Sequence, residues 1–330
     1  MTQRIRAQWI TALALTLVFA IAAGPAALAG GGAYRVTNLV SNVEGRAAHK
    51  DPNLVNGWGV AFNPFGFVWV ASNGMGVAAL YDGNGVPQSL VVQIPGGNPT
   101  GIVFNGSTND FIVTRGGVSG PAAFIFATEA GIISAWVPSI DRNHAIPVVD
   151  NSGKDAIYKG LALGADGNRF LLYATDFHNQ RIDVFDRTFS PVTVPGGFAD
   201  TSVPRDYGPF GIQNIGGSIY VTYAKRDEAG EDDVKGRGLG VVNAFTAEGF
   251  LIQRIAKGGE LNAPWGLALA PADFGEFSNH LLIGNFGDGT INAFNLARGK
   301  FDGPLAKADG NPIVIPGLWG LAFEIGRAHV

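Results

Sequence analysis

The stretch LNAPWGLALAP, residues 261–271, decides how this chain folds. Its Trp265-Gly266 pair follows a turn-forming Asn-Ala-Pro and opens directly into a run of apolar residues. Glycine weakens a strand interior, and tryptophan is bulky and carries an N–H to satisfy, so the pair marks a crowded place where backbones approach closely. The pattern recurs in NGWGVAF (56–62), NPTGIVF (98–104), YKGLAL (158–163), GPFGIQN (208–214) and GLWGLAF (317–323). The glycines concerned, Gly59, Gly101, Gly160, Gly211, Gly266 and Gly320, are spaced by 42 to 59 residues. A period of this length belongs to the blades of a propeller.

Further runs keep step with these six. A second strand is expected in VWVASN (68–73), DFIVT (110–114), LLYATD (171–176), SIYVTYA (218–224) and HLLIGN (280–285). A third follows in GVAALYD (76–82), GIISAWV (131–137), RIDVFD (181–186), GVVNAFT (240–246) and GTINAFN (289–295), each with an aromatic at one fixed place: Tyr81, Trp136, Phe185, Phe245 and Phe294. Runs such as SLVVQIP (89–95) supply a fourth. Four strands per repeat, with turn residues between them, predict an all-β, six-bladed β-propeller of four-stranded blades. Each Trp-Gly type pair would then begin the innermost strand, where only a residue without Cβ lets the backbones converge. AYRVTNLVS (33–41) reads as a detached outer strand for the sixth blade, which is otherwise truncated after one strand.

Composition agrees with this reading. The 330 residues include 48 Gly and 18 Pro and only 15% charged residues, which favours short strands and tight turns over long surface helices. The formal net charge is −4, so there is no basic footprint for nucleic acid. Residues 1–29 have a basic start, an apolar stretch from Trp9 to Ala23, a Gly24-Pro25 breaker and a small-x-small Ala27-Leu28-Ala29, the pattern of a secretory signal. A transmembrane anchor is the competing reading, and the apolar run is short for one. The expectation is a secreted or extracytoplasmic monomer with no membrane span after cleavage. Its single domain would cover 30–323. The terminal EIGRAHV (324–330) reads as a non-native tail, a genuine divergent end being the alternative. With no cysteine, core burial alone must hold the fold, and any metal ligands must be oxygen or histidine.

The runs DPNLVNGWGVAF, FIFATEAGIISAW, YATDFHNQRIDVFD, YGPFGIQNIGGSIYVTYA and LNAPWGLALAPADFGEFSNHLLIGNFGDGTINAFN resemble a family of exported bacterial propeller proteins of unassigned function, some with a C-terminal envelope sorting signal. The resemblance spans about 35–323. A broader similarity is to NHL-type propellers and to gluconolactonase-type propellers, and the second group implies that metal-dependent hydrolysis stays under consideration.

In a propeller, the loops leading into the inner strands share one rim with the loops joining second and third strands. The first set holds Asn56, Asn98, Lys159, Pro209 and Asn262; the second holds Asn73, Asp176, His178, Asn285 and Asp288. Such oxygens could seat a polar ligand, or a divalent cation such as Ca²⁺ with Asp176 and Asp288 as its acidic ligands. Asp176, His178 and Lys159 are the catalytic candidates: a carboxylate two residues from an imidazole suits acid–base work. Lys159 would hold an anion or pair with Asp176. Asn before Gly or Pro also serves turns for its own backbone hydrogen bonds, which is the plainer explanation of Asn56, Asn98 and Asn262. The segment KRDEAGEDDVKGRG (225–238) reads as a solvated, mobile loop. His49, His144 and His280 show no metal-ligand spacing. The leading functional expectation is a binding or scaffold module for a carbohydrate, peptide or envelope partner; the alternative is a lactonase-like, metal-dependent hydrolase.

Overall fold

The structure, a computed structural model, describes residues 33–63, 66–167 and 169–323. The proposed secretory signal at 1–29 and the tail at 324–330 lie outside these residues. Five radial sheets make five blades of an all-β propeller. The first contains Gly57–Phe62, Val68–Ser72, Val77–Tyr81 and Pro87–Gln93. The second contains Pro99–Phe104, Phe124–Thr128, Ile132–Trp136 and Ile146–Asp150. The third has three strands, Tyr158–Asp166, Arg169–Asp176 and Arg181–Asp186. Tyr207–Ile215, Ser218–Lys225, Val241–Phe245 and Leu251–Lys257 build the fourth. The fifth is Pro264–Leu269, Leu281–Asn285, Ile291–Asn295 and Lys300–Pro304. Neighbouring strands within each blade are antiparallel. Among the described residues there is no α-helix, and no helix is long and apolar enough to cross a membrane.

The glycine pattern marks the axis. A Cβ placed on Gly59 would lie 2.5 Å from the Thr100 carbonyl oxygen, on Gly101 2.5 Å from the Leu161 amide, and on Gly160 2.8 Å from the Phe210 carbonyl oxygen. The same holds onward: Gly211 faces the Trp265 carbonyl at 2.0 Å, Gly266 the Trp319 carbonyl at 2.5 Å, and Gly320 the Trp58 carbonyl at 2.6 Å. The circuit closes there, with the Gly320 amide donating to the Trp58 carbonyl at 3.0 Å. Six inner segments therefore converge, although the last, around Trp319 and Gly320, carries no assigned strand.

In all five blades the inner strand bulges beside this glycine: the register slips between Gly57 and Val60, between Tyr158 and Gly160, between Pro209 and Ile212, between Pro264 and Gly266, and opposite Phe126 and Thr128. A bulge re-aims the extra residue. Of the residues before the six glycines, Trp58, Phe210, Trp265 and Trp319 gather in one cluster with Lys159 against the Trp58 ring, while the Thr100 hydroxyl donates to the Tyr158 carbonyl of the next blade at 2.7 Å.

Apolar seams between blades hold the ring together. Trp69 stacks on Phe124 at 4.1 Å between the first two blades, and Phe198 meets Phe245 at 5.3 Å and Tyr173 at 5.6 Å beside the third and fourth. The fixed third-strand aromatics Tyr81, Trp136, Phe185, Phe245 and Phe294 are all buried. Full burial of one such ring stabilises by about 1.5–3 kcal/mol.

Three expectations need correcting. DFIVT is not the second strand of its blade: Ile112–Arg115 pairs with Val118–Pro121 in a separate hairpin, and Phe124–Thr128 takes the blade position. The third blade lacks a fourth strand; a single bridge from Phe185 to Pro191 stands in its place. Residues 33–41 do not form a long outer strand. Ala33 makes one parallel bridge to Ala306, Tyr34 stacks on Phe274 at 4.8 Å, and Val40–Ser41 pairs with His49–Lys50.

Candidate functional site

The channel mouth is plugged by aromatic rings. Trp58 and Trp319 stack at 3.6 Å, Trp319 and Phe286 at 3.8 Å, and Trp265 meets Trp319 edge-on at 5.9 Å. Phe177 and Phe210 complete the cluster, both fully buried. A lysine stands at each end of the stacked column: Lys159 Nζ lies 5.4 Å from the Trp58 ring, and Lys235 Nζ lies 4.1 Å from the Phe286 ring. Cations over aromatic faces are held by the ring quadrupole.

Lys159 is 2% exposed, a burial that a lysine tolerates only when its charge is paired. Its ammonium donates to Glu129 Oε1 at 2.5 Å and to Asp232 Oδ1 at 3.3 Å. Glu129 is oriented in turn by Asn73, whose amide donates to Oε2 at 2.9 Å. Asn73 Oδ1 accepts from Asn56 Nδ2 at 3.1 Å, and Asn56 Oδ1 accepts from Trp319 Nε1 at 3.0 Å. One relay therefore runs Trp319, Asn56, Asn73, Glu129, Lys159, Asp232 around the rim, across several blades. Beneath it, Trp58 Nε1 is buried and has no hydrogen-bond partner.

The segment 225–238 folds back against this rim while half of its residues stay exposed, in keeping with its charged composition. The Arg226 backbone bridges to Asp233, and the Val234 amide donates to the Lys225 carbonyl at 2.8 Å. Asp232 reaches Lys159, Lys235 covers Phe286, and the Gly236 amide donates to Asn262 Oδ1 at 2.7 Å. Burial raises the Asp233 carboxyl to about 6, against the opposing pull of Lys235 and Lys159.

The remaining candidates divide. Asp176 is fully buried, but its oxygens are already taken: Oδ1 accepts from the amides of Ile157 and Asn179, each at 3.2 Å, Oδ2 accepts from Asn179 Nδ2 at 2.8 Å, and Arg181 lies 3.4 Å away. Burial holds its carboxyl above the ordinary carboxylate range. It bonds neither His178 nor Lys159, so the expected acid–base pair is not assembled. His178 is half-buried, its carbonyl accepts from Arg226 at 2.6 Å, and its Nδ1 is without a partner.

On the fifth blade, Asn262 Nδ2 donates to Asp288 Oδ2 at 3.0 Å, and Asn285 Oδ1 accepts from the Asn262 amide at 3.1 Å. Asp288 Oδ1 is occupied by the Thr290 amide at 3.0 Å and by its hydroxyl at 2.6 Å. Asp176 and Asp288 thus serve turns on different blades and do not converge on one point. Among the described residues no group of three or more His, Asp or Glu side chains is arranged to hold a metal ion. Asn98 joins the rim through its backbone, its carbonyl accepting from the Glu129 amide at 3.2 Å. Asn56 and Asn98 have φ of 50° and 45°, the left-handed region that Asn tolerates, so both also do the work of a turn.

Glu129 and Asp232 are the residues that sequence reading missed. Glu129 lies in the turn between Phe124–Thr128 and Ile132–Trp136, and assigning DFIVT to the blade hid it. The far mouth of the channel is open, with a pocket of about 450 Å³ lined by Val60, Ile102, Leu163, Gln213, Leu267 and Leu321.

Fold and rim together define a β-propeller whose channel is closed at one mouth by stacked aromatics around a buried lysine. Two proteins of Acanthamoeba polyphaga mimivirus match it over 301 residues each. Uncharacterized protein R648 is 35% identical, covering 88% of this chain and 73% of its own length. Uncharacterized protein L690 is 33% identical, covering 88% of this chain and 78% of its own length. The chain belongs to the family of these proteins. The expected bacterial family is overturned by these relatives, which come from a giant virus. No family model matches the chain. Among solved structures, a catalytically inactive virginiamycin B lyase from Staphylococcus aureus with quinupristin superposes with a TM-score of 0.50 at 15% identity, over 78% of this chain and 72% of the lyase. At that identity the likeness speaks for the propeller fold alone.

Proposed function

We propose that this chain is an exported, monomeric binding or scaffold module that takes a carbohydrate, peptide or envelope ligand at the rim of its channel, around Lys159 and Glu129. We further propose that the whole propeller has six blades, the segment around Trp319 and Gly320 belonging to the sixth. The observation that carries the binding reading is the Lys159 ammonium, buried at the channel mouth and flanked by the unpartnered Trp58 N–H. A charge kept there against its desolvation cost is worth most to a protein that uses it for recognition. Export is supported by the basic, apolar and small-x-small order of residues 1–29. For the alternative, a lactonase-like hydrolase with a divalent cation, Asp176 and Asp288 remain the acidic ligands to test.

A glycan and peptide array probed with the full chain tests the reading. Lys159→Met should abolish capture, whereas Leu269→Ser, on the opposite mouth, should leave it intact. Capture that survives Lys159→Met and fails in Leu269→Ser refutes a rim site. Metal analysis runs alongside: a stoichiometric cation that disappears in Asp176→Ala would favour the hydrolase.

A further inference from the structure

We infer that Asp232 is a tethered substitute for a carboxylate of the ligand, and that the segment from Arg226 to Gly238 is a lid which an acidic sugar displaces from Lys159. The inference rests on the rim being the ligand site. An ammonium has three donors. Glu129 takes one at 2.5 Å from within the rim and is fixed there by Asn73. Asp232 takes another at 3.3 Å from the solvent side, with its own side chain 77% exposed. The two acids are therefore not equivalent: the first is built into the blades, while the second arrives on a loop and is replaceable, charge for charge, by a carboxylate from outside.

The lid also covers what a sugar ring needs. Lys235 lies over the Phe286 face at 4.1 Å, and the Gly236 amide occupies Asn262 Oδ1 at 2.7 Å. Lifting the segment uncovers a cation, an aromatic face and a side-chain acceptor together, a set that suits a pyranose bearing a carboxylate. Gly230 and Gly238, at φ of 74° and 84°, give the segment points about which to swing.

Closure is incomplete in its hydrogen bonding. Arg226 Nε and Asp233 Oδ2 on the segment and His178 Nδ1 beside it are buried without partners. Such orphans are rare in a settled interior and weaken the closed arrangement relative to an open one.

The experiment titrates the full-length wild type, Asp232→Ala and Lys159→Met with trigalacturonate, maltotriose and triglutamate by calorimetry. Hydrogen exchange of the amides of Asp227, Val234 and Gly236 is followed in the same samples. Asp232→Ala should bind trigalacturonate at least tenfold more tightly than wild type, Lys159→Met should not bind it, and ligand should speed exchange of the three lid amides in wild type. Unchanged or weaker binding by Asp232→Ala overturns the inference, as does failure of every form to bind. A gain for triglutamate but not for trigalacturonate overturns the assignment to sugars. Maltotriose binding that depends on Lys159 but not on Asp232 would leave the rim site standing and remove the carboxylate from it. Near-UV circular dichroism checks that Lys159→Met is folded; if it is not, the Asp232→Ala and exchange results decide.

Discussion

Gly211→Ala is the sharpest probe of the ring. The new Cβ would sit 2.0 Å from the Trp265 carbonyl oxygen and 2.8 Å from its carbonyl carbon. Both are backbone atoms of the next inner strand, so no rotamer change relieves the clash. The fourth and fifth blades must part by about 1 Å to restore even a tight contact, and because the circuit is closed the other seams must absorb the movement. Overpacking a rigid interior costs about 1–3 kcal/mol, and a clash against a backbone carbonyl belongs at the upper end. In a domain of this size each kcal/mol lowers Tm by roughly 2–4 °C, so a fall of about 6–12 °C is expected. Gly153→Ala is the control. A Cβ there meets nothing within 4 Å, and the backbone is not left-handed. That change should stabilise by about 0.4–1 kcal/mol through the unfolded chain. Urea and thermal unfolding followed by circular dichroism, with the combined tryptophan emission as a second probe, measure both variants. If Gly211→Ala unfolds within about 0.5 kcal/mol of wild type, as an ordinary surface change does, the inner strands do not converge as described.

Three further outcomes are expected. Lys159→Met should destabilise by about 2–4 kcal/mol because it leaves Glu129 unpaired, and adding Glu129→Gln should recover part of the loss in a double-mutant cycle read by urea unfolding. Asp176→Ala should cost about 1–3 kcal/mol by stranding the Ile157 and Asn179 amides, while leaving rim binding unchanged in the array assay. Burial raises the Asp233 carboxyl from 3.8 to about 6, so the folded chain holds a proton that the unfolded chain has lost across that interval. The stabilisation from this group is thus fully present below the ordinary value and disappears as pH rises through about 6. Lid amide exchange, corrected for its intrinsic pH dependence, should quicken over that range, and Asp233→Asn should flatten the profile.

How much of this was legible depended on the range of the interaction behind each feature. The six glycines were readable because each contact is made by absence of a side chain, and that absence is written at one fixed place in every repeat. The aromatics from Tyr81 to Phe294 were readable for the same reason. DFIVT misled because its alternation suits any half-buried strand, whether in a blade or in a hairpin beside one. Lys159 stood out as the charged residue among the motifs. Its partners did not, since Glu129 and Asp232 lie 30 and 73 residues away and only the closed ring brings them near. The charged segment is exposed at half its residues, as its composition suggests, but its hold on the rim is decided by Asp232, Lys235 and Gly236 individually.

The register slip beside the glycine in all five blades separates two jobs that most interiors confuse. The glycine does the fastening, and the residue before it is left to differ from blade to blade: Trp58, Phe210 and Trp265 join the aromatic plug, Lys159 brings a charge to it, and Thr100 lends its hydroxyl to the Tyr158 carbonyl of the next blade. Exchanging Phe210 for a histidine would change the chemistry of the plug while the glycine contacts of the hoop beneath it stay in place.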